Sequence, residues 1–396
     1  MKDRKRDGAF RDLRVTAKVV ESRIITSFHL EPVEPEGWKP FAAGQFLVLR
    51  VPPKGARRAM PRSYSVSSSP SDIGRYRITV KRETSPGPGI PEGAGSCWLH
   101  DEIGVGDVIS AAGPRGEFVL DTRSRKPAVL LSGGVGLTPM VAMLHALSDP
   151  AETRPVHFIH ACDSGDVHAL REEVLRLARR RPGIAVHFCY RFPNERDLRE
   201  RPHHSEGVVT RELLDRLLPD PDCDHYLCGP PPFMKAVYGL LRGRGVPKEQ
   251  IAYEFFGPAT VLEADVQAAD APPSAPNSGA DGTTQAEPQA AAPAGPPPSG
   301  RDWLTLPASP ASGHRVEFRK SGKAASWDDS ADSLLAFAEA QGLMPDFSCR
   351  SGVCGTCRTA LVAGEVTYTS DPLDPPGDGE VLICCAKPKG DIVLDL

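Results

Sequence analysis

Residues 349–357 read CRSGVCGTC, and two adjacent cysteines, Cys384 and Cys385, follow further on. A C-x4-C-x2-C clip completed by one distant cysteine supplies four thiolates at the spacing that holds a 2Fe–2S cluster. The small residues inside the clip, Ser351, Gly352, Gly355 and Thr356, let the backbone wrap the cluster and aim amide N–H groups at its sulfurs. Zinc competes for cysteine-rich loops, but its structural sites pair two close clips, and here the fourth ligand stands alone. Five of the ten cysteines fall between Cys349 and Cys385. In a chain with no export signal, such clustered cysteines hold metal more often than they pair. The scattered Cys97, Cys162, Cys189 and Cys223 read as small buried hydrophobes.

A second chemistry sits at SGGVGLTPM (132–140), which follows an apolar run and opens a helix from about Thr138 to Leu147. Backbone N–H groups at such a turn suit the diphosphate of a nicotinamide dinucleotide, although the turn is not the six-residue G-x-G-x-x-G fingerprint.

These residues need elements to position them, and the texture of the chain changes three times. Before residue 123, short alternating runs such as QFLVLRVPP and RYRITVKRE are broken by Pro and Gly, as in a small antiparallel barrel. From there to residue 259, PAVLLSGG, VHFIHA, AVHFCY and HYLCG alternate with helical stretches such as HALREEVLRLARR, the mark of a parallel α/β sheet. Residues 260–302 are rich in Ala, Pro, Gly and Ser with almost no large apolar side chain. Such a composition cannot offset the entropy of ordering and predicts a disordered tether. At about 5–6 Å × √n it reaches roughly 35 Å. Residues 303–396 then carry a hairpin (HRVEFRKSGK, AASW), a helix (DSLLAFAEAQGL) and a closing strand (GDIVLDL) around the cysteine clip.

Charge divides at the tether. Residues 1–258 hold 38 Lys and Arg against 32 Asp and Glu, a net of +6, whereas residues 301–396 hold 9 against 14, a net of −5. A positive body and a negative C-terminal domain either favour mutual encounter at low salt or simply keep each domain soluble, and the charge count leaves both readings open.

The motifs and their order resemble the ferredoxin–NADP reductase superfamily, in particular the reductase half of flavohaemoglobins, fused to a plant-type ferredoxin domain. PRSYSVSSS (61–69) resembles the flavin signature Arg-x-Tyr-Ser. The resemblance implies that Arg62 pairs with the FAD diphosphate, that Tyr64 stacks on the isoalloxazine and that Ser65 hydrogen-bonds near N5, with Ser63 between them. It gives Gly93 and Ser96 the Gly-x-x-Ser of a diphosphate-binding helix start, expected after Ser96. Gly133, Gly134, Gly136, Thr138 and Pro139 match its nicotinamide turn. Cys228, Gly229 and Pro230 of YLCGPPPFM match the motif that sets a thiol beside the nicotinamide C4. An aromatic near the end of YEFFGPA, Phe256 or Phe255, covers the flavin face. Members that bind a 2′-phosphate place Ser-Arg where Tyr190-Arg191 stands, so Arg191 matches and the serine does not, leaving NADH and NADPH both open. In the ferredoxin part the last ligand lies four residues before a proline, and Pro388 selects Cys384 to join Cys349, Cys354 and Cys357. No globin-like sequence precedes residue 10, so nitric oxide chemistry is not implied.

The expectation is a multidomain protein: an antiparallel β-barrel FAD domain (10–122), an α/β parallel-sheet NAD(P) domain (123–259), a disordered linker (260–302) and an α+β β-grasp ferredoxin domain (303–396). Electrons would run from NADH or NADPH through FAD to the 2Fe–2S cluster and on to a redox protein such as an oxygenase component. A self-contained diaphorase or quinone reductase, or a redox-sensing subunit of a larger complex, are the alternatives. Neither a nucleic-acid partner nor a membrane span is expected, since the longest apolar runs are strand-sized. The charged N-terminus lacks an apolar signal region and points to the cytoplasm.

Overall fold

The computed structural model describes residues 10–52, 60–85, 92–218, 222–256, 314–343, 345–347, 352, 355–373 and 375–396. The linker expected over 260–302, the charged N-terminus (1–9), and Cys349 and Cys354 lie outside the described residues.

In the first unit β1 (Phe10–Val20), β2 (Ile25–Pro32), β3 (Phe46–Val51), β4 (Met60–Ser65), β5 (Tyr76–Lys81) and β6 (Val108–Arg115) form one antiparallel sheet, ordered β4-β3-β6-β1-β2-β5. A bridge between Val66 and Ile78 joins the two edges and closes the sheet into a barrel. Alternation does the sorting: Leu13 and Val15 point inward, Arg14 and Thr16 outward. Phe28, Leu30, Leu47 and Leu49 fill the interior, each worth about 1.5–3 kcal/mol relative to exposure. Helix α1 (Ala94–Asp101) adds Trp98 and Leu99 to that core.

The second unit is a six-stranded, wholly parallel sheet of β7 (Ala128–Gly133), β8 (Val156–Cys162), β9 (Ile184–Tyr190), β10 (Ser205–Glu206), β11 (Asp224–Gly229) and β12 (Ile251–Phe255), ordered β10-β9-β8-β7-β11-β12. Its helices are α2 (Leu137–Leu147), α3 (Arg171–Arg180), α4 (Glu195–Glu200), α5 (Arg211–Leu217) and α6 (Pro231–Gly243). Both faces are covered, so β7 is apolar throughout: Ala128 and Leu130 enter the core shared with α2 and α3, and Val129 and Leu131 the one shared with α5 and α6. Strand order reverses between β7 and β11, which opens a crevice at the C-terminal ends of the strands.

Barrel and α/β unit share a core. Ile25, Ala43 and Phe118 pack with Met140 and Met143 of α2. Gly44, at φ +109°, fits there because a Cβ would meet the Phe118 carbonyl oxygen at 2.1 Å. A buried ion pair spans the same junction: Arg77 reaches Glu173 through two nitrogens at 2.6 and 2.9 Å, and His145 Nε2 lies 2.6 Å from the same carboxylate. Desolvation would raise the Glu173 carboxyl, but hydrogen bonds from His145 and Arg77 prevail and hold it at about 2.

The third unit is a mixed sheet with a helix across it, as the β-grasp expectation requires. It comprises β13 (Arg315–Phe318), β14 (Lys323–Ser326), α7 (Leu334–Ala340), β15 (Arg358–Ala363), β16 (Val366–Tyr368), β17 (Glu380–Leu382), β18 (Ala386–Pro388) and β19 (Ile392–Leu394). The main sheet runs β14-β13-β19-β15-β17, with the closing strand β19 parallel to β13. Ser333 caps α7 by accepting from the Ala336 amide at 3.2 Å, and Leu334, Leu335 and Phe337 pack into the core with Phe318 and Ile383.

Candidate functional site

The reversal between β7 and β11 is built from glycines. A Cβ on Gly136 would lie 2.3 Å from the Cys228 carbonyl oxygen, and one on Gly133 or Gly229 would strike the Phe233 ring at 2.7 Å. Only bare backbone lets the turn after β7 press against the end of β11. Gly134 takes a left-handed φ of +53°. Thr138 is buried, its hydroxyl donating to the Val135 carbonyl at 3.1 Å, and Pro139 is buried beside it in the first turn of α2. Pro230 is the N-cap residue of α6.

Register then assembles a cluster that no single motif contains. β11 pairs with β12 so that Cys228 stands opposite Glu254, and the Ser65 hydroxyl at the end of β4 donates to Glu254 Oε2 at 3.5 Å. Glu254 retains some solvent exposure as a residue, yet its carboxyl is walled in by protein, and burial pushes it up to about 8 against the opposing effect of the Ser65 hydrogen bond. Cys228 is fully buried, and desolvation, with the Glu254 charge behind it, pushes its thiol far up. It is a thiol at neutral pH, not a nucleophilic thiolate. Sequence reasoning missed Glu254; the available signal was a lone carboxylate among aromatics in YEFF. Phe255 turns into the core behind β12, whereas Phe256 packs, partly buried, on the side that holds Cys228.

On the barrel, Arg62 and Tyr64 share one face of β4, and α1 sits over them. A Cβ on Gly95 would meet the Tyr64 hydroxyl at 2.6 Å and Arg62 Cγ at 3.0 Å. The two motifs PRSYS and GAGS are thus one locus. Burial pushes the Tyr64 phenol up. The Ser63 hydroxyl is buried without a hydrogen-bond partner among the described residues. Helix α1 begins at Ala94, two residues before Ser96, and not after it as expected. The reason is local: the Ser96 hydroxyl donates to the Gly93 carbonyl at 3.0 Å and accepts from the Glu83 amide at 3.1 Å. It ties the helix start to the segment that follows β5, and the free N–H groups belong to residues just after Gly93, which has no side chain to cap them.

Around the cysteine clip the described residues bring Cys357 and Cys384 together, their sulfurs 3.0 Å apart and both buried. The Gly352 amide points at Cys384 Sγ from 3.3 Å. Cys385 lies beside them, its side chain hydrogen-bonded to Cys384, its sulfur 3.6 Å from the Leu382 carbonyl oxygen and 2.7 Å from where a Cβ on Gly352 would lie. Two converging thiols with an amide aimed at a sulfur are half of the four-thiolate donor set that a 2Fe–2S cluster takes, and they fit it. Leu373, in the segment before β17, packs against Phe46 and Val48 of β3, next to the strand that carries Arg62 and Tyr64.

Three family models match the chain in order: an oxidoreductase FAD-binding domain over residues 12–120, an oxidoreductase NAD-binding domain over 130–238 and a 2Fe-2S iron-sulfur cluster binding domain over 318–389. The chain belongs to the ferredoxin-reductase-type oxidoreductases, with a 2Fe–2S domain fused to the reductase. FAD, a nicotinamide dinucleotide and a 2Fe–2S cluster are the cofactors of this reductase. It is 39% identical over 261 residues to a flavohemoprotein of Bacillus thuringiensis subsp. konkukian, a match covering 65% of this chain and 64% of that relative. Against the flavohemoprotein of Bordetella pertussis it is 40% identical over 255 residues, covering 64% and 62%. The chain thus spans just under two thirds of the length of these relatives. Among solved structures, the FAD/NAD-binding domain of nitric oxide dioxygenase from Vibrio cholerae O1 biovar El Tor aligns with a TM-score of 0.55 and 34% identity, covering 63% of this chain and 99% of that one. Phthalate dioxygenase reductase, described as a modular structure for electron transfer from pyridine nucleotides to [2Fe-2S], shares the fold of the whole reductase: TM-score 0.54, 23% identity, 98% of each chain. Among the described residues no helix is long and apolar enough to cross a membrane.

Proposed function

We propose that this reductase takes hydride from a reduced nicotinamide dinucleotide and passes electrons through FAD to the 2Fe–2S cluster and on to a protein acceptor such as an oxygenase component in the cytoplasm. The observation that carries this reading is the convergence of Ser65 from the barrel with Cys228 and Glu254 from the α/β sheet at the switch-point crevice. That is where a nicotinamide on the glycine turn would meet a flavin held by the barrel. Arg62, Ser63, Tyr64, Ser65, Gly93 and Ser96 form the flavin side. Gly133, Gly134, Gly136, Thr138, Pro139, Gly229 and Pro230 form the nicotinamide side, with Phe256 over the flavin face. FAD supplies the conversion of one hydride into single electrons, and the protein supplies placement and exclusion of water. Cys349, Cys354, Cys357 and Cys384 would hold the cluster, and the packing of Leu373 on β3 supports a short route from flavin to cluster.

Cytochrome c reduction tests the path. Deleting residues 301–396 is expected to abolish NADH-driven cytochrome c reduction while ferricyanide reduction, which draws on the flavin directly, continues. Cytochrome c reduction at the full rate without those residues would remove the cluster from the path. Arg62→Ala is expected to weaken FAD retention by about 1.5–3 kcal/mol, the worth of one charge-assisted contact to a diphosphate. Equilibrium dialysis of the flavin reads this directly, and unchanged retention would leave Arg62 outside the flavin site.

A further inference from the structure

Strands β8 and β9 end side by side, Cys162 opposite Tyr190, and the next residues, Asp163 and Arg191, meet across the end of the sheet. Arg191 Nε donates to Asp163 Oδ1 at 2.9 Å, and a terminal guanidinium nitrogen lies 2.8 Å from the same oxygen. The backbone fixes this meeting: the Arg191 amide donates to the Cys162 carbonyl at 2.9 Å, and the Phe192 amide to the Asp163 carbonyl at 2.7 Å. Just beyond, the Gly165 amide donates to Asp197 Oδ2 at 3.0 Å, and Asp197 belongs to the capping box of α4. Both charged side chains remain half-exposed, so a ligand can reach them. The guanidinium lies over the ring of Phe192, 4.6 Å from its centre, and that ring is 65% exposed.

Strand order says what belongs here. From Cys228 at the end of β11, across β7 with its glycine turn, to β9 is three strand spacings, roughly 14 Å. A dinucleotide with its nicotinamide at Cys228 and its diphosphate on the turn after β7 lays its adenosine over the ends of β8 and β9. A carboxylate at that point accepts from a ribose 2′-hydroxyl, whereas an unengaged arginine suits a 2′-phosphate. In this chain the arginine is already engaged. Asp197 is taken up by the Gly165 and Asn194 amides, and the guanidinium of Arg196 is bound to Glu200 at 3.1 Å.

We propose that Asp163 makes this reductase selective for NADH over NADPH, by accepting from the ribose 2′-hydroxyl while holding Arg191 away from a 2′-phosphate, with Phe192 as the platform on which adenine stacks. The inference rests on the hydride-transfer reading above. A 2′-phosphate brings about −1.5 to −2 charges beside a carboxylate, and rejection of the wrong ligand by like charge is the economical way to separate two otherwise identical dinucleotides.

The test is steady-state oxidation of NADH and of NADPH by the full chain with ferricyanide as acceptor, for wild type, Asp163→Asn, Asp163→Asn/Arg191→Ala and Phe192→Ala. Flavin content serves as the check that each variant is intact. Wild type is expected to favour NADH by roughly tenfold or more in kcat/KM. Asp163→Asn should raise kcat/KM for NADPH by roughly tenfold through KM alone, because Arg191 is released, and adding Arg191→Ala should cancel that gain. Phe192→Ala should weaken both nucleotides alike. A wild-type preference for NADPH, or an unchanged NADH/NADPH ratio in Asp163→Asn, overturns the proposal. If neither nucleotide is oxidised, the hydride-transfer reading itself fails, and the selectivity with it.

Discussion

Serine at Cys384 is expected to remove the visible 2Fe–2S absorption or distort it severely, whereas Cys385→Ser leaves the spectrum of the purified protein unchanged. Oxygen is a harder ligand than sulfur and binds this iron poorly, so loss of any one of Cys349, Cys354, Cys357 and Cys384 should have the same consequence. The adjacent cysteines make the contrast sharp. Cys384 Sγ stands 3.0 Å from Cys357 Sγ and receives the Gly352 amide, whereas the Cys385 thiol, though hydrogen-bonded to Cys384, lies 3.6 Å from the Leu382 carbonyl oxygen. Absorption and paramagnetic resonance spectra of the two variants, with iron counted per chain, decide the matter. A cluster lost in Cys385→Ser and kept in Cys384→Ser would reverse the ligand assignment.

Flavin reduction by NADH should slow roughly a hundredfold in Ser65→Ala, the lower end of what a positioned proton donor contributes. Its pH dependence should belong to Glu254. Burial holds that carboxyl protonated up to about pH 8, so below this value it stands neutral between Ser65 and Cys228 and can donate a hydrogen bond. Above it, a carboxylate would face an electron-rich, anionic dinucleotide. The rate in stopped flow is therefore expected to fall as pH rises through about 8, and Glu254→Gln should flatten that limb because an amide does not titrate. Stability follows the same linkage. A carboxyl near 4.5 in the unfolded chain and near 8 in the folded one favours folding least at high pH. The cost of Glu254 is absent below about pH 4.5, grows between the two values and levels off above about 8. Thermal unfolding should accordingly show Glu254→Gln gaining on wild type from pH 5 to pH 8.5. A pH limb that survives in Glu254→Gln assigns the titration to another group.

What the sequence settles by itself is what depends on local spacing and local backbone chemistry. The C-x4-C-x2-C clip, the glycines of SGGVG and the switch from two-residue to helical periodicity near residue 123 each act over a few residues. The barrel, the parallel sheet and the 2Fe–2S cluster were legible from them, whereas FAD came only from the resemblance of PRSYSVSSS to a flavin signature. One local detail was misread: α1 starts at Ala94, because the Ser96 hydroxyl binds back to the Gly93 carbonyl, a choice that spacing does not reveal. The tertiary structure alone decides what is brought together across long separations. Ser65 and Glu254 are 189 residues apart and meet only because the barrel packs on the α/β unit through a shared core. Glu254 stands beside Cys228 through the parallel register of β11 and β12, and Asp163 engages Arg191 because β8 and β9 end level. A carboxylate read in sequence carries no sign of whether it will be solvated, buried neutral or locked to an arginine. Desolvation and pairing are properties of the place to which the fold delivers it, and these two acidic residues, alike on the page, were delivered to opposite ends of the same crevice.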